Sequence, residues 1–194
     1  MREFDQSYCM IPLMFDLSSA SVLVIGAGAV GQRKAAYFAG RCKELTILDT
    51  VPESLSDIVA AHDFIVAATA SSEENERIIG EARVQNKWYN CATGIGNFLI
   101  PAAHFEENFT LAVSTNGKAP ATAGYIRDKI RDDLPALSAM IALQEVLRSE
   151  LKNIVPDQTR RAEILREVLA DEAVWEALDA GDKETALLLA RRHI

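Results

Sequence analysis

Short apolar runs alternate with amphipathic segments over the first half of the chain. The first run, Ser21 to Ile25, is rich in β-branched residues and has no polar alternation, as expected of a strand buried on both faces. Further runs with strand character lie at residues 44–50, 63–69 and 87–93. Helical segments are predicted between them, at residues 32–39, within 52–61 and at 71–86. This alternation predicts an α/β domain built on a parallel sheet.

The pattern changes in the second half of the chain. Two apolar stretches with β character, at residues 97–102 and 109–115, precede a helical segment. One face of that helix is apolar and carries Tyr125, Ile126, Ile130 and Leu134. Pro135 interrupts the helix, and residues 156–194 are predicted to be helical throughout. We expect an α/β domain over residues 1–105, a small α+β segment over 106–137 and a helical C-terminal domain over 138–194.

A glycine-rich turn joins the first strand to the first helix. Gly26, Gly28 and Gly31 follow the GxGxxG spacing. In this motif the first glycine permits a tight turn, the second lets the backbone approach a pyrophosphate, and the third allows close helix–strand packing. Asp49 ends the second strand about 20 residues further on, where a carboxylate accepts hydrogen bonds from a ribose diol and repels a 2′-phosphate. This context predicts a Rossmann-like NAD-binding domain, and the alternative is a tight turn without a ligand.

The predicted cofactor site extends along the carboxyl edge of the sheet, where ligands of open α/β folds bind. Its expected members are Gly26, Gly28, Ala29, Val30, Gly31, Asp49, Thr50 and Thr69. Thr69 ends the third apolar run, and capping of the following helix is an equally good interpretation of its hydroxyl.

Composition narrows the class of protein. The 194 residues carry a formal net charge of −8, which argues against nucleic acid or an anionic membrane as the main partner. No apolar run approaches the roughly 20 residues needed to span a bilayer. We see no secretory signal, and Cys9, Cys42 and Cys91 form no CxxC pair. We therefore expect a cytoplasmic protein without a disulfide framework or a metal site.

Four segments together resemble the precorrin-2 dehydrogenases, the N-terminal module of siroheme synthases. They are MIPLMFDLSSASVLVIGAGAVGQRKAAYF (10–38), IVAATASSEEN (65–75), NFLIPA (97–102) and LAVSTNGKAPATAGYIRDKI (111–130). The last segment is the most specific, because its S-T-x-G-x-x-P pattern before a basic amphipathic helix is not a general Rossmann feature.

The resemblance implies NAD-dependent oxidation of precorrin-2 to sirohydrochlorin in siroheme biosynthesis. It also implies a homodimer formed by residues 106–137, although the C-terminal helices could instead cover the apolar face of that segment. Ser114, Thr115, Asn116 and Arg127 are the residues expected to contact tetrapyrrole carboxylates. The alternatives are an ordinary turn for the first three residues and a solvated helix face for Arg127.

The chain departs from the family in the loop between Asn90 and Pro101. Relatives resemble one another in placing an Asp there, proposed to serve both dehydrogenation and the iron insertion that some members perform. This loop contains no acid, and Thr93 or Ile95 falls nearest the expected position. The general base is therefore unknown, with His104, Thr93 and Asn97 as weak candidates, and we expect slow or absent ferrochelatase activity.

Three functions remain open on this basis. The leading one is an NAD-dependent precorrin-2 dehydrogenase. A sensor or scaffold of the same fold, which binds NAD or a tetrapyrrole without turnover, is the alternative that the missing Asp supports. A dehydrogenase for another small acidic substrate is the third.

Overall fold

The computed structural model describes residues 10–94 and 96–194, so that Cys9 and Ile95 lie outside the described residues. The chain divides into two compact units at the junction between Ile100 and Pro101. The sequence placed the end of the α/β domain at residue 105, five residues after the end of the first unit. The reason is that the strand at 102–105 pairs with a strand of the second unit. Residues 101–194 form a single unit, which includes both the α+β segment and the helical region that the sequence separated.

The first unit is a parallel four-stranded sheet with helices on both faces. Its strands are β1 (Ser21–Ile25), β2 (Glu44–Leu48), β3 (Phe64–Ala67) and β4 (Trp88–Cys91), in the order β2-β1-β3-β4. Its helices are α1 (Ala29–Phe38), α2 (Leu55–Ala60) and α3 (Ser72–Val84). All three neighbouring strand pairs are parallel, which confirms the predicted Rossmann-like α/β architecture.

Alternation along the buried strands divides the core between the two faces. Leu23 and Ile25 of β1 pack with α2 and α3, whereas Val22 and Val24 pack with Ala35 and Phe38 of α1. All four of these β1 side chains are 0% exposed. A strand covered on both sides can have no polar face, which explains why its sequence shows no alternation.

The helix ends follow local capping rules, with one difference from the prediction. Ser71 caps α3, because its hydroxyl accepts a hydrogen bond from the Glu74 N–H at 3.2 Å. Gly40 follows α1 with a φ of 71°. Glycine adopts this left-handed conformation without steric strain because it has no Cβ, and it is therefore common at the end of a helix. Helix α1 begins at Ala29, three residues before the predicted start, so that Gly31 lies in its first turn.

The second unit joins a β-hairpin to a set of helices. Strands β5 (Ala102–Phe105) and β6 (Thr110–Val113) are antiparallel partners. The helices are α4 (Pro120–Asp133), α5 (Leu137–Ile154), α6 (Gln158–Ala170), α7 (Glu172–Asp179) and α8 (Lys183–Ala190). The stretch 97–102, predicted to have β character, contributes only Ala102 to a strand. β6 therefore pairs with β5 along one edge, and its other edge has no strand partner in the part of the chain that the structure describes.

A helical core stabilises the second unit. Met140, Leu143 and Leu147 lie along one face of α5 and pack with Val168 of α6 and Val174 of α7. Acidic side chains cap the helices that follow, because Asp157, Asp171 and Asp182 each accept hydrogen bonds from N–H groups in the first turn of α6, α7 and α8. Among the described helices, none is both long and apolar enough to cross a membrane.

The apolar face of α4 is left uncovered by the helices of its own chain. Tyr125 is 68% exposed, Ile126 37% and Leu134 40%. Ala123 is buried and lies on the same side of the helix as Ile126 and half-buried Ile130, so this side of α4 packs in part against β5 and β6. Within the described residues, the C-terminal helices therefore do not cover Tyr125 and Leu134.

Candidate functional site

Three strands end around the glycine-rich turn at the carboxyl edge of the parallel sheet. The Gly26 N–H donates to the Leu48 carbonyl at 2.7 Å, and the Ala68 N–H donates to the Ile25 carbonyl at 2.8 Å. The turn therefore lies between the residues that follow β2, Asp49 and Thr50, and those that follow β3. This is the edge at which the sequence places the cofactor.

Gly26 and Gly31 are required by the packing of the protein itself. Gly26 has a φ of 113°, and a Cβ there would lie 2.2 Å from the Ala68 carbonyl oxygen. A Cβ on Gly31 would lie 1.6 Å from the Gly26 carbonyl oxygen. No side chain fits at either position, so β1, α1 and the end of β3 meet with backbone against backbone. This is the close strand–helix packing expected of the first and third glycines of the motif.

Gly28 has no such requirement. Its φ of −68° and ψ of 178° are accessible to any residue, and a Cβ there would meet nothing within 4 Å. The space above it is open, so neither backbone strain nor protein packing accounts for a glycine. A ligand that approaches the backbone does account for it.

The N-terminus of α1 faces this open space with its amides available. Gly28 is the N-cap and offers no side chain, and the first turn contains no acid. The first backbone hydrogen bond of the helix runs from the Gln32 N–H to the Gly28 carbonyl at 2.9 Å. The N–H groups of Ala29, Val30 and Gly31 therefore have no partner within the helix. Such amides, at the positive end of a helix dipole, bind phosphate groups.

Asp49 and Thr50 are exposed beside the turn. The Asp49 carboxylate makes no hydrogen bond or ion pair with any other residue that the structure describes. A carboxylate without a partner next to the phosphate position is suited to accept hydrogen bonds from ribose hydroxyls.

Thr69 is used by the turn that connects β3 to α3. Its hydroxyl accepts from the Ser71 N–H at 3.2 Å and donates to the Ser71 carbonyl or the Asn75 Oδ1, both at 3.1 Å. Asn75 is completely buried, and its Nδ2 donates to the Thr69 carbonyl at 3.1 Å. Ser71, and not Thr69, is therefore the residue that caps α3, and the Thr69 hydroxyl orders the turn before the helix. Contact of Thr69 with the cofactor stays a prediction.

Both loop candidates for the general base are structural. The Asn75 Nδ2 donates to the Thr93 hydroxyl at 3.1 Å, which ties the residue after β4 to α3. The Asn97 Oδ1 accepts from the Tyr89 N–H at 2.7 Å, and its Nδ2 donates to the Lys87 carbonyl at 3.0 Å. Asn97 thus pairs with β4 as a strand would, and neither side chain is available to take a proton.

Lys34 is a residue that the sequence analysis did not assign to the site. It lies on α1, half-buried, and its Nζ donates to the Asn90 Oδ1 at 2.5 Å. Burial lowers the pKa of Lys34, with the positive charge of Arg33 as a smaller cause. Its spacing gives a signal, since Lys34 lies three residues after buried Gly31 and four before buried Phe38, next to the core-facing stripe of the helix.

The predicted substrate residues of the second unit have partners close in sequence. The Ser114 hydroxyl accepts from the Asn116 N–H at 3.1 Å, and the Thr115 hydroxyl accepts from the Ala119 N–H at 3.0 Å. Asn116 has a φ of 53°, so these residues form the turn before α4. The Arg127 guanidinium is engaged by Asp128 through two bonds of 2.8 Å.

His104, the remaining weak candidate, also lies in the second unit. Its Nε2 is 3.0 Å from a Glu106 carboxylate oxygen, and its ring packs against Phe109. Among the described residues, no group of His, Cys, Asp and Glu side chains is arranged to hold a metal ion.

The sequence of the first unit matches a family of known cofactor-binding domains. Residues 13–102 match the family model described as putative NAD(P)-binding. This segment includes the whole parallel sheet and the glycine-rich turn, which supports a nicotinamide cofactor.

Similar proteins extend the match over almost the full chain. The precorrin-2 dehydrogenase of Methanosarcina barkeri is 30% identical, over 91% of this chain and 90% of its own length. The putative precorrin-2 dehydrogenase of Methanocaldococcus jannaschii is 29% identical, over 87% of this chain and 94% of its own. The siroheme synthase of Tolumonas auensis is 25% identical, but this chain covers only 41% of it.

A solved structure shares the fold. SirC, a precorrin-2 dehydrogenase, superposes with a TM-score of 0.66 at 20% sequence identity, covering 94% of this chain and 100% of the other.

Two glycine substitutions test the assignment of the turn. We expect Gly28→Ala to leave stability unchanged and to weaken nicotinamide dinucleotide binding by about 10-fold or more, because the methyl group would occupy ligand space. Gly31→Ala should destabilise the fold by roughly 3 kcal/mol or more, because its Cβ collides with the Gly26 carbonyl. Denaturant unfolding and calorimetric titration measure the two effects. Equal loss of stability in both variants would contradict the assignment.

Proposed function

The chain belongs to the precorrin-2 dehydrogenase family, and from this premise we propose that it oxidises precorrin-2 to sirohydrochlorin with NAD. The observation that carries the proposal is the open space at Gly28, next to the unpaired amides of the first turn of α1, which leaves room for a ligand against the backbone. In a chain that aligns along nearly its whole length with a precorrin-2 dehydrogenase, that ligand is the pyrophosphate of the cofactor.

The residues of the first unit would each act on one part of the cofactor. The N–H groups of Ala29, Val30 and Gly31 would bind the pyrophosphate, and Asp49 would accept hydrogen bonds from the adenosine ribose. NAD, when bound, accepts a hydride from the substrate. The protein contributes binding and orientation at the carboxyl edge of the sheet.

The choice of NAD over NADP rests on the charges beyond β2. Asp49 is followed by a surface cavity of about 570 Å³, lined in part by Glu53, Arg77 and Glu81. Hydrogen bonds from Gln85 and Ser56 lower the pKa of Glu81, which keeps it ionised. The lining therefore carries two carboxylates, Glu53 and Glu81, and one guanidinium, Arg77. Together with Asp49, the carboxylates would repel the 2′-phosphate of NADP.

A spectroscopic assay tests the proposed function. Purified protein, precorrin-2 and NAD should yield the absorption spectrum of sirohydrochlorin, with one NADH formed per molecule oxidised. The sensor alternative is favoured by one observation, that Thr93 and Asn97 in the acid-free loop are committed to structural hydrogen bonds. Binding of NAD or tetrapyrrole without any spectral conversion would support that alternative and contradict ours.

Replacement of Asp49, the proposed ribose-binding residue, tests the preference for NAD over NADP. Asp49→Asn should raise the Kd for NAD about 10-fold, because charge-assisted hydrogen bonds to the ribose are lost, and should lower the Kd for NADP by removing repulsion. Calorimetric titration of both cofactors checks this, with Asp57→Asn on α2 as the control for general loss of negative charge. A wild-type protein that prefers NADP would refute the role of Asp49.

We also propose that residues 106–137 form a homodimer interface. The exposed apolar face of α4 and the open edge of β6 lie in the same segment, and a two-fold contact would bury both. The predicted contact of Ser114, Thr115, Asn116 and Arg127 with tetrapyrrole carboxylates remains part of this proposal. Because their side chains have local partners, binding through them would require exchange of those hydrogen bonds.

The interface is tested by light scattering. Wild-type protein at micromolar concentration should have twice the 21.3 kDa mass of the chain. Ile126→Asp should reduce it to one chain or cause aggregation, because a carboxylate would be buried at the contact. Leu188→Asp is the matched control, since Leu188 is 63% exposed on α8 and lies outside the proposed interface. A wild-type monomer would contradict the proposal.

A further inference from the structure

Lys34 and Asn90 form an oriented pair inside the first unit. The Asn90 side chain is 4% exposed, and its Nδ2 donates to the Phe98 carbonyl at 2.9 Å. This bond turns the Asn90 Oδ1 toward the Lys34 Nζ, which lies 2.5 Å away. The lysine is thereby held by a neutral amide that is itself fixed to the chain after β4.

The pair lies near the reactive edge of the sheet. Asn90 is the last residue but one of β4, and it is in register with Val66 of β3, so its side chain shares the α1 face of the sheet. β4 leads directly into the loop that has no acid among its residues. The N-terminus of the helix that carries Lys34 forms the proposed pyrophosphate site, so one helix contributes to both.

No carboxylate among the described residues pairs with Lys34. Some other cationic side chains do have carboxylate partners, since Lys129 pairs with Asp133 and Arg127 pairs with Asp128. Burial lowers the pKa of Lys34 and the Arg33 charge lowers it further, while the Cys91 thiol acts weakly in the opposite direction. A lysine in such surroundings loses its proton at a lower pH than a solvent-exposed lysine does. Its neutral amine can then act as a base.

We propose that Lys34 is the general base of the reaction, a role that rests on the proposed function. Transfer of a hydride from precorrin-2 to the nicotinamide removes one hydrogen with both electrons of its bond. The oxidised tetrapyrrole is then left with one proton in excess. The neutral Lys34 amine accepts that proton, becomes an ammonium group that donates to Asn90, and afterwards releases the proton to solvent. Lys34 thus supplies the group that the acid-free loop lacks.

Substitutions of Lys34 separate a base from a structural cation. Lys34→Met should lower kcat by roughly 100-fold and leave the Kd for NAD unchanged. Its melting temperature should be equal or higher, because a partly buried charge is removed. Lys34→Arg keeps the charge but cannot deprotonate, and should be as inactive. Added ethylamine should partly restore Lys34→Ala. Lys43→Met, at an exposed lysine of the same unit, should keep full activity.

The pH profile tests the same assignment through Asn90. Wild-type kcat should rise with pH as Lys34 loses its proton. Asn90→Asp places a carboxylate beside the ammonium group, raises the pKa of Lys34, and should move that rise to higher pH. The ¹⁵N resonance of the Lys34 Nζ, assigned with Lys34→Arg, should titrate at a lower pH than an ordinary lysine side chain does.

The outcomes separate the inference from the function on which it rests. If wild-type protein does not oxidise precorrin-2, the proposed function is wrong. If wild-type protein is active but Lys34→Met or Lys34→Arg retains more than half of its kcat, Lys34 is not the base. A Lys34 resonance that titrates together with those of surface lysines would overturn the assignment independently of any activity.

Discussion

The contact between Gly31 and the Gly26 carbonyl is the constraint on which the first unit depends. A Cβ at residue 31 would lie 1.6 Å from that oxygen, so only two bare backbones can approach this closely. The approach fixes where α1 begins, and Gly26 in turn lies against the end of β3 at Ala68. Three elements are therefore held together at the carboxyl edge of the sheet, in the place where ligands of such folds bind.

The arrangement of the site follows from that contact. Because α1 starts at the turn, its first amides face the open space above Gly28. Because the helix lies tightly on the sheet, Lys34 reaches Asn90 on the last strand. Asp49 lies beside the turn through the bond from the Gly26 N–H to the Leu48 carbonyl. The sites that we propose for the phosphates, the ribose and the base thus share one rigid support.

The sequence predicted the features that depend on backbone pattern, but it did not reveal the hydrogen-bond partners of individual side chains. Glycine spacing and buried apolar runs placed the parallel sheet and the turn, because period and glycine conformation are local properties. Only the structure shows that the Asn97 side chain is hydrogen-bonded to β4 and that the Arg127 side chain is hydrogen-bonded to Asp128. The sequence also did not reveal the hydrogen bond of Lys34, because its partner Asn90 is 56 residues away. The pairing of β5 with β6 was likewise not predicted.

The position of the cofactor is the central claim, and amide chemical shifts measure it most directly. In a titration of ¹⁵N-labelled protein with NAD, the resonances of Ala29, Val30 and Gly31 should show the largest saturable changes, and Gly28→Ala should require about 10-fold more NAD or more to produce them. Changes confined to the opposite, amino edge of the sheet, around Phe15 and Trp88, would contradict the account.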